Sequence, residues 1–209
     1  LGDVYKRQGY QALYTNTSGN YNTAVGKNSL FSNETGIDNS ALGQKALSSN
    51  TTGSYNTALG SNALFSNTTA DNNTAVGYAA LYHATTASGN TAMGESAMYY
   101  TTTGDYNTAM GNQALYSNTT GNDNSVLGYY AMYYNTTGSD NVAQGYKAMY
   151  TNTTGMRNTS LGYMSMYSNS DGTENVALGY QSLYDNQSGD YNTALGLSLI
   201  HISEPTRLG

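Results

Sequence analysis

The chain has 209 residues and a formal net charge of −6, and only 10% of its residues are charged. It contains 24 glycines and 22 tyrosines but only one proline, and it lacks both cysteine and tryptophan. The acidic balance argues against a nucleic-acid partner, and the lack of cysteine excludes disulfides and thiolate metal sites. No apolar run approaches the about 18 residues that a membrane span requires, so no membrane segment is expected in this chain.

The two ends of the chain are related through their coding DNA. Residues 1–8 read LGDVYKRQ, and codons can be chosen for them whose reverse complement encodes LSLIHISE, the sequence of residues 197–204. The segment resembles the transposon-derived adapter of sequencing libraries. We therefore expect residues 1–8 and 197–209 to be adapter-derived rather than native, and residues 9–196 to be a metagenomic fragment of a longer protein.

Residues 9–196 consist of a 17-residue repeat without any insertion or deletion. The unit reads N-T-A-h-G-x-x-A-[LM]-Y-x-N-T-T-G-x-x, where h is a bulky apolar residue. Such a strict register indicates stacked structural units. From residue 22 onward, an asparagine stands four positions before the first glycine of every unit: Asn22, Asn39, Asn56, Asn73, Asn90, Asn107, Asn124, Asn141, Asn158, Asn175 and Asn192.

The period and composition of the repeat favour strands and turns over helices. Helical repeats need about 30 or more residues per unit, and glycine, asparagine and threonine are poor helix formers. Two segments, N-T-A-h and A-[LM]-Y-x, alternate as short strands do, and a turn signal bounds each of them. We predict an all-β fold, a parallel β-solenoid or β-roll of about eleven two-strand coils that form a rod on the order of 50 Å long.

Stacking places equivalent residues of successive coils directly above one another. The invariant asparagines are then expected to form a structural ladder of side-chain amides that is buried or lines a bend. Along the first strand, the alanine and the bulky apolar residue point to opposite faces. Because one coil needs only one interior, the alanine stripe is expected to contact either another chain or the opposite wall of the coil.

The aromatic residues five positions after the first glycine are the best candidates for a binding surface. Stacking would align them into one ridge, interrupted only at Ser48, that either contacts a sugar or surface or is simply packed. The ridge begins with Tyr14, Phe31 and Phe65, and its candidate binding residues are Tyr82, Tyr99, Tyr116, Tyr133, Tyr150, Tyr167 and Tyr184. Tyr78, Tyr129, Tyr146, Tyr163 and Tyr180, just after the glycine, are expected to widen it.

No catalytic constellation is apparent in the repeats. His83 is the only histidine outside the end segments, and no position of the unit carries a carboxylate in every coil. We therefore expect no enzyme activity, no cofactor and no metal site, although a loosely bound cation near Asp185 and Asp190 is an alternative. The N-x-[ST] triplets are interpreted as by-products of the NTTG turn rather than as glycosylation sites.

The N-T-A-h-G-x-x-A-[LM] unit resembles the head repeats of trimeric autotransporter adhesins. Its NTTG segment makes it still more similar to the repeat regions of bacterial and phage tail fibre domain proteins. The resemblance covers essentially all of residues 9–196, although adhesin head repeats are usually shorter than 17 residues. It implies a left-handed parallel β-roll that assembles as a homotrimer in the head or shaft of a surface or virion fibre, and hence an extracellular location.

We therefore expect a structural and adhesive segment of a bacterial surface or phage tail fibre, which binds cell-surface or glycan targets through repeated stacked side chains. Two alternatives are an ice-binding β-solenoid and a purely structural spacer. An ice-binding solenoid needs regular pairs of outward threonines on a flat strand face, but the paired threonines here lie in the NTTG turn. A polysaccharide-cleaving β-helix needs a cluster of acids that interrupts the repeat, and no unit is interrupted.

Overall fold

The structure, a computed structural model, describes residues 6–197 and is built from a single parallel sheet. Its twelve strands have three residues each and follow one another in chain order. The strands are β1 (Lys6–Gln8), β2 (Thr23–Val25), β3 (Ser40–Leu42), β4 (Thr57–Leu59), β5 (Thr74–Val76), β6 (Thr91–Met93), β7 (Thr108–Met110), β8 (Ser125–Leu127), β9 (Val142–Gln144), β10 (Thr159–Leu161), β11 (Val176–Leu178) and β12 (Thr193–Leu195).

The register of the sheet follows the sequence repeat. Ala24 pairs with Ala41, and Ala41 pairs with Ala58, so each strand lies one 17-residue unit from the next. The described residues contain no helix and form about 11 turns of a solenoid. The prediction of an all-β parallel β-solenoid is therefore confirmed.

The prediction of a second strand in each coil is wrong, because the A-[LM]-Y-x segment folds as a series of turns. In the coil that follows β2, Asn28 and Leu30 have positive φ angles of 58° and 46°, and the residues between and beside them do not. The Ser29 amide donates to the Gly26 carbonyl within the coil, and the Leu30 amide donates to the Ala46 carbonyl of the next coil. The segment is thus stacked by hydrogen bonds between coils without being extended.

This backbone explains why the position of Leu30 is always leucine or methionine. A positive φ is strained for any residue with a Cβ atom and most of all for β-branched ones, so valine and isoleucine are disfavoured there. Leucine and methionine keep an unbranched Cβ and still fill the interior. Leu30, Leu47 and Met98, for example, are completely buried.

The middle residue of each strand from β2 to β12, usually alanine, faces the interior, and the third residue, usually bulky and apolar, faces outward. Ala24 and Ala41 belong to the same continuous buried cluster as Leu30 and Leu47, so the alanine stripe packs against the opposite wall of its own coil. Leu42, in contrast, is 49% exposed. The coil is narrow because its interior holds only one large side chain opposite a methyl group.

Three of the residues expected to be adapter-derived extend the sheet. Lys6–Gln8 forms β1 and pairs in parallel with β2, and all three side chains are exposed. Backbone pairing places no demand on side-chain identity, so any short extended segment can cover the edge of β2. Residues 1–5 and 198–209, the rest of the two expected adapter segments apart from Leu197, lie outside the described residues.

Candidate functional site: stacked ladders of aromatic and asparagine side chains

The invariant asparagines form a hydrogen-bonded row inside the solenoid, called here the first asparagine ladder. The Asn141 backbone amide donates to Asn124 Oδ1 at 3.1 Å, and Asn124 Nδ2 donates to the Gly138 carbonyl at 2.9 Å. Equivalent bonds recur in neighbouring coils. Each asparagine therefore ties its own strand to the NTTG turn and to the next coil. The members are Asn22, Asn39, Asn56, Asn73, Asn90, Asn107, Asn124, Asn141, Asn158 and Asn175, all buried, and the half-buried Asn192.

A second asparagine ladder was missed in the sequence. It is built by the asparagine of the NTTG turn, whose recurrence was interpreted only as a series of N-x-[ST] triplets. Asn50 Nδ2 donates to Asn33 Oδ1 at 2.7 Å and to the Gly53 carbonyl at 2.9 Å. The sequence feature that could have revealed this ladder is the recurrence of the asparagine every 17 residues, which Ala84 and Thr101 interrupt. The members are Asn16, Asn33, Asn50, Asn67, Asn118, Asn135, Asn152, Asn169 and Asn186.

The predicted aromatic ridge is a row of stacked rings from Tyr14 to Tyr184 with one gap at Ser48, called here the aromatic ladder. Neighbouring ring centroids from Phe65 to Tyr184 lie 4.9 to 5.6 Å apart, and their planes are nearly parallel. Tyr14 and Phe31 form a separate stacked pair, because Ser48 leaves one rung without a ring. The structure thus brings together all seven candidate binding residues: Tyr82, Tyr99, Tyr116, Tyr133, Tyr150, Tyr167 and Tyr184.

Stacking decides which part of each tyrosine is available to a partner. Rings with a neighbouring ring on each side have both faces covered, and the rings of the ladder from Phe31 to Tyr184 are half-buried, whereas Tyr14 is exposed. The solvent therefore meets ring edges and phenol groups rather than ring faces. A ligand can contact the interior of this ladder through hydrogen bonds and edge contacts, whereas stacking on a ring face is possible only where a rung is missing.

A shorter tyrosine row runs beside the aromatic ladder. The centroids of Tyr129 and Tyr146 lie 5.7 Å apart, and Tyr163 and Tyr180 continue the stack at 5.1 Å spacing. The Lys147 ammonium joins the two rows, since it lies 4.9 Å from the centroid of Tyr150 and 5.5 Å from that of Tyr146. The ridge is therefore widest in the C-terminal half, where it also carries a positive charge.

Tyrosine ionisation is disfavoured at Tyr116, Tyr133 and Tyr150 of the aromatic ladder. Burial, followed by repulsion from and hydrogen bonding with Tyr100, raises the pKa of Tyr116 to about 12. Burial is also the first cause that raises the pKa of Tyr133 and of Tyr150, and at Tyr150 a hydrogen bond with Tyr134 adds to it. These phenols stay neutral around pH 7 and can both donate and accept hydrogen bonds.

His83 and the acidic residues do not assemble into a site. The ring of His83 is half-buried, stacks on Tyr100 at 5.4 Å and meets the edge of Tyr82, so it packs as one more aromatic side chain. Asp190 Oδ1 accepts a hydrogen bond from the Thr173 backbone amide of the preceding coil at 2.7 Å, so this carboxylate stabilises the contact between two turns. Within residues 6–197, no cluster of histidine and acidic side chains is arranged to hold a metal ion.

The outward side of the strands is a second candidate surface, called here the outer sheet face. Each strand from β2 to β12 places its first and third residues there, and none of these 22 positions carries a charge. The third residues of β2 to β12 are apolar except in β9, which ends on Gln144. Leu59 and Leu127 are 42% and 47% exposed. The face therefore presents one apolar stripe beside one mostly threonine stripe, rather than paired threonines.

Searches against family models, curated proteins and solved structures find no match to the chain. Residues 6–197 contain no helix that could cross a membrane. Inferences about function therefore rest on the two surfaces that the repeat creates, the aromatic ladder and the outer sheet face.

Proposed function

We propose that the chain is a structural and adhesive segment of an extracellular fibre, of the kind carried by bacterial surfaces or phage tails. The observation that carries the proposal is the outer sheet face, which is uncharged and carries an apolar stripe along strands β2 to β12. Soluble monomers rarely expose contiguous apolar patches of such extent, and a large patch of this kind marks an interaction site. The function proposed is lateral assembly into a stiff fibre.

The partner proposed for the outer sheet face is a second and a third copy of the same chain. A copy has the same spacing of about 4.8 Å between strands, so its apolar rungs can match these rungs along the full length. The face has no charge that would require an oppositely charged partner. The number of three copies comes from the resemblance to trimeric adhesin heads.

The aromatic ladder is the proposed contact with a cell-surface glycan. It belongs to the turn segment of the coil rather than to the strands, so it can stay accessible when the outer sheet faces associate. Its phenol groups recur once per coil and suit the repeated hydroxyls of a polysaccharide. Each rung binds weakly in this proposal, and avidity along the fibre supplies the affinity.

Assembly is tested by placing charges on the outer sheet face. Replacing Leu42, Leu59 and Leu127 together with glutamate should convert the trimer of the purified chain into a monomer, measured by light scattering, with an unchanged β circular dichroism spectrum. The matched control replaces the exposed threonines of the same three coils with glutamate: Thr52, Thr69 and Thr137. A parent chain that is a stable monomer, or a control that dissociates equally, would contradict the proposed assembly.

Adhesion is tested by removing four rings at once. Replacing Tyr133, Tyr150, Tyr167 and Tyr184 with serine should abolish binding on a glycan array and to cells while the β-rich spectrum persists. The matched control, phenylalanine at the same four positions, keeps the stack and removes only the hydroxyls. If the serine variant folds and still adheres, the ladder is not the contact surface. If the parent chain assembles and binds neither glycans nor cells, it is a structural spacer, and thermal hysteresis would indicate ice binding instead.

A further inference from the structure

The aromatic ladder contains one empty rung, and this rung has the walls of a binding slot. At the fifth position after the first glycine, Ser48 replaces the ring that every other coil from Tyr14 to Tyr184 carries. Phe31 stacks on Tyr14 with a centroid distance of 5.3 Å, and Phe65 stacks on Tyr82 at 5.0 Å. Each phenylalanine therefore has one face covered by a neighbour and one face turned toward the coil of Ser48.

The distance between the two phenylalanine faces suits one six-membered aromatic ring. Because stacked coils advance by about 4.8 Å each, Phe31 and Phe65 are separated by about 10 Å, twice the normal rung. Elsewhere the same space holds one ring, as Tyr133 does between Tyr116 and Tyr150 at centroid distances of 4.9 and 5.6 Å. Ser48 itself is half-buried and fills only the base of this space.

A positive charge lies at the empty rung. The Lys45 ammonium, from the same coil as Ser48, lies 5.7 Å from the centroid of Phe65. The single ion pair within residues 6–197 joins Arg157 to Glu174, so no carboxylate of that part of the chain pairs with Lys45. Tyr82 covers the other face of Phe65, so a ligand ring that stacks on Phe65 displaces the Lys45 ammonium from this ring, and a negatively charged ligand group can then pair with it.

We propose that Phe31, Phe65, Ser48 and Lys45 form a binding slot for a monocyclic aromatic carboxylate, of which benzoate is the simplest. The ring stacks between the two phenylalanine faces and completes the aromatic ladder, while the carboxylate pairs with the Lys45 ammonium. This slot does not depend on the proposed fibre assembly or on glycan binding. It is the one rung between Tyr14 and Tyr184 that lacks a ring of its own.

The test is a titration of benzoate with the full chain, monitored through the proton NMR signals of the benzoate. Stacking between two rings should move the benzoate ring protons upfield, and the shift should saturate at one ligand per chain. Cyclohexanecarboxylate, which has the charge without the aromatic ring, should bind at least about tenfold more weakly, as should the uncharged benzyl alcohol. Absence of a saturable shift, or equal binding of cyclohexanecarboxylate, would overturn the proposal.

Two substitutions locate the site. Ser48→Tyr places in the slot the residue that most other coils already carry, so the fold is maintained and benzoate binding should be lost. Lys45→Gln should weaken benzoate about tenfold and leave benzyl alcohol unchanged, whereas the control Lys147→Gln, at a filled rung, should change neither. Benzoate binding by Ser48→Tyr at parental strength would show that the ligand binds elsewhere and would refute the slot.

A gain of binding provides an independent check. Tyr150→Ser should open a second slot between Tyr133 and Tyr167, with Lys147 supplying the charge as Lys45 does at the native slot. The variant should bind two benzoates per chain, and the double variant with Ser48→Tyr should bind one. A Tyr150→Ser chain that is folded and still binds a single benzoate would contradict the idea that an empty rung creates the site.

Discussion

The interior asparagine ladders and the exterior aromatic ladder repeat with the same period, but they tolerate a missing rung differently. At Ser48 the aromatic ladder loses a ring, and the phenylalanines on either side stay half-buried, as the rings of complete rungs are. Where Ala84 and Thr101 interrupt the second asparagine ladder, Asn67 Oδ1 and Thr101 Oγ1 are buried and have no hydrogen-bond partner in the described part of the chain. A gap inside is costly because water cannot easily replace the lost partner, whereas a gap outside is open to solvent.

The largest effect is expected from breaking the first asparagine ladder. Asn124→Ala removes the acceptor of the buried Asn141 amide and leaves a small cavity, so unfolding free energy should fall by about 3 kcal/mol. Chemical denaturation followed by circular dichroism measures the loss. The control is Asn122→Ala, two residues earlier and exposed, which should cost less than about 1 kcal/mol. Equal losses of unfolding free energy in the two variants would mean that the buried ladder contributes no more to stability than an exposed asparagine does.

A smaller loss is expected from breaking the aromatic ladder once. Tyr133→Ser removes stacking on Tyr116 and Tyr150, and because the ring is only half-buried the cost should be about 1 to 2 kcal/mol. Tyr133→Phe keeps both stacks and should be close to neutral in the same denaturation experiment. A Tyr133→Ser chain as unstable as Asn124→Ala would place the rings among the core residues rather than on a surface available for binding.

Repairing the second asparagine ladder should stabilise the solenoid. An asparagine at position 84 can donate to the orphaned Asn67 Oδ1 and accept from Thr101 Oγ1, as complete rungs do. The variant also carries Ala87→Gly, which reproduces the N-T-T-G turn of most other coils, in which a Cβ atom on Gly53 would approach Asn50 Oδ1 to 2.5 Å. Asn67, three residues before Ala70, shows that a ladder asparagine can also be followed by alanine. The double variant Ala84→Asn/Ala87→Gly should gain about 1 kcal/mol.

The matched control for this repair is Ala87→Gly alone. It adds backbone freedom without a new hydrogen bond and should lower the melting temperature slightly. If the double variant melts no higher than that single variant, the orphaned oxygens do not limit stability.

The smallest effect concerns alkaline pH and distinguishes the two kinds of ladder, because only the aromatic one titrates. The pKa of Tyr116 is about 12 in the folded chain, above its usual value near 10, so the folded state holds its proton more tightly than the unfolded state. This contribution is complete below pH of about 10 and is lost as pH rises through about 12. Denaturation midpoints should fall over that range, and absorbance at tyrosinate wavelengths should show late-titrating phenols. Tyr116→Phe should reduce the fall in the midpoint.

Several features of the fold could be predicted from particular residues. The unbroken spacing of glycines and of the asparagines from Asn22 to Asn192 requires stacked coils in register, and stacking by itself aligns the tyrosines from Tyr82 to Tyr184. The structure of the A-[LM]-Y-x segment could not be predicted in this way. Its alternation of residues matched a strand. The positive φ angles at positions such as Asn28 and Leu30 accompany hydrogen bonds to adjacent coils, and a local sequence pattern does not predict such bonds.

The sequence by itself determined the period, the parallel register and the rows of identical side chains, because a strict 17-residue repeat allows only equivalent residues to meet. Only the tertiary structure decided which side of the strand is the interior. Both alanine and the bulky residue of the T-A-h strand are apolar, so alternation alone cannot orient them. The leucines and methionines of the opposite wall already fill the narrow coil, and the room left opposite them fits a methyl group. That packing limit turns the larger side chains outward and creates the face proposed for assembly.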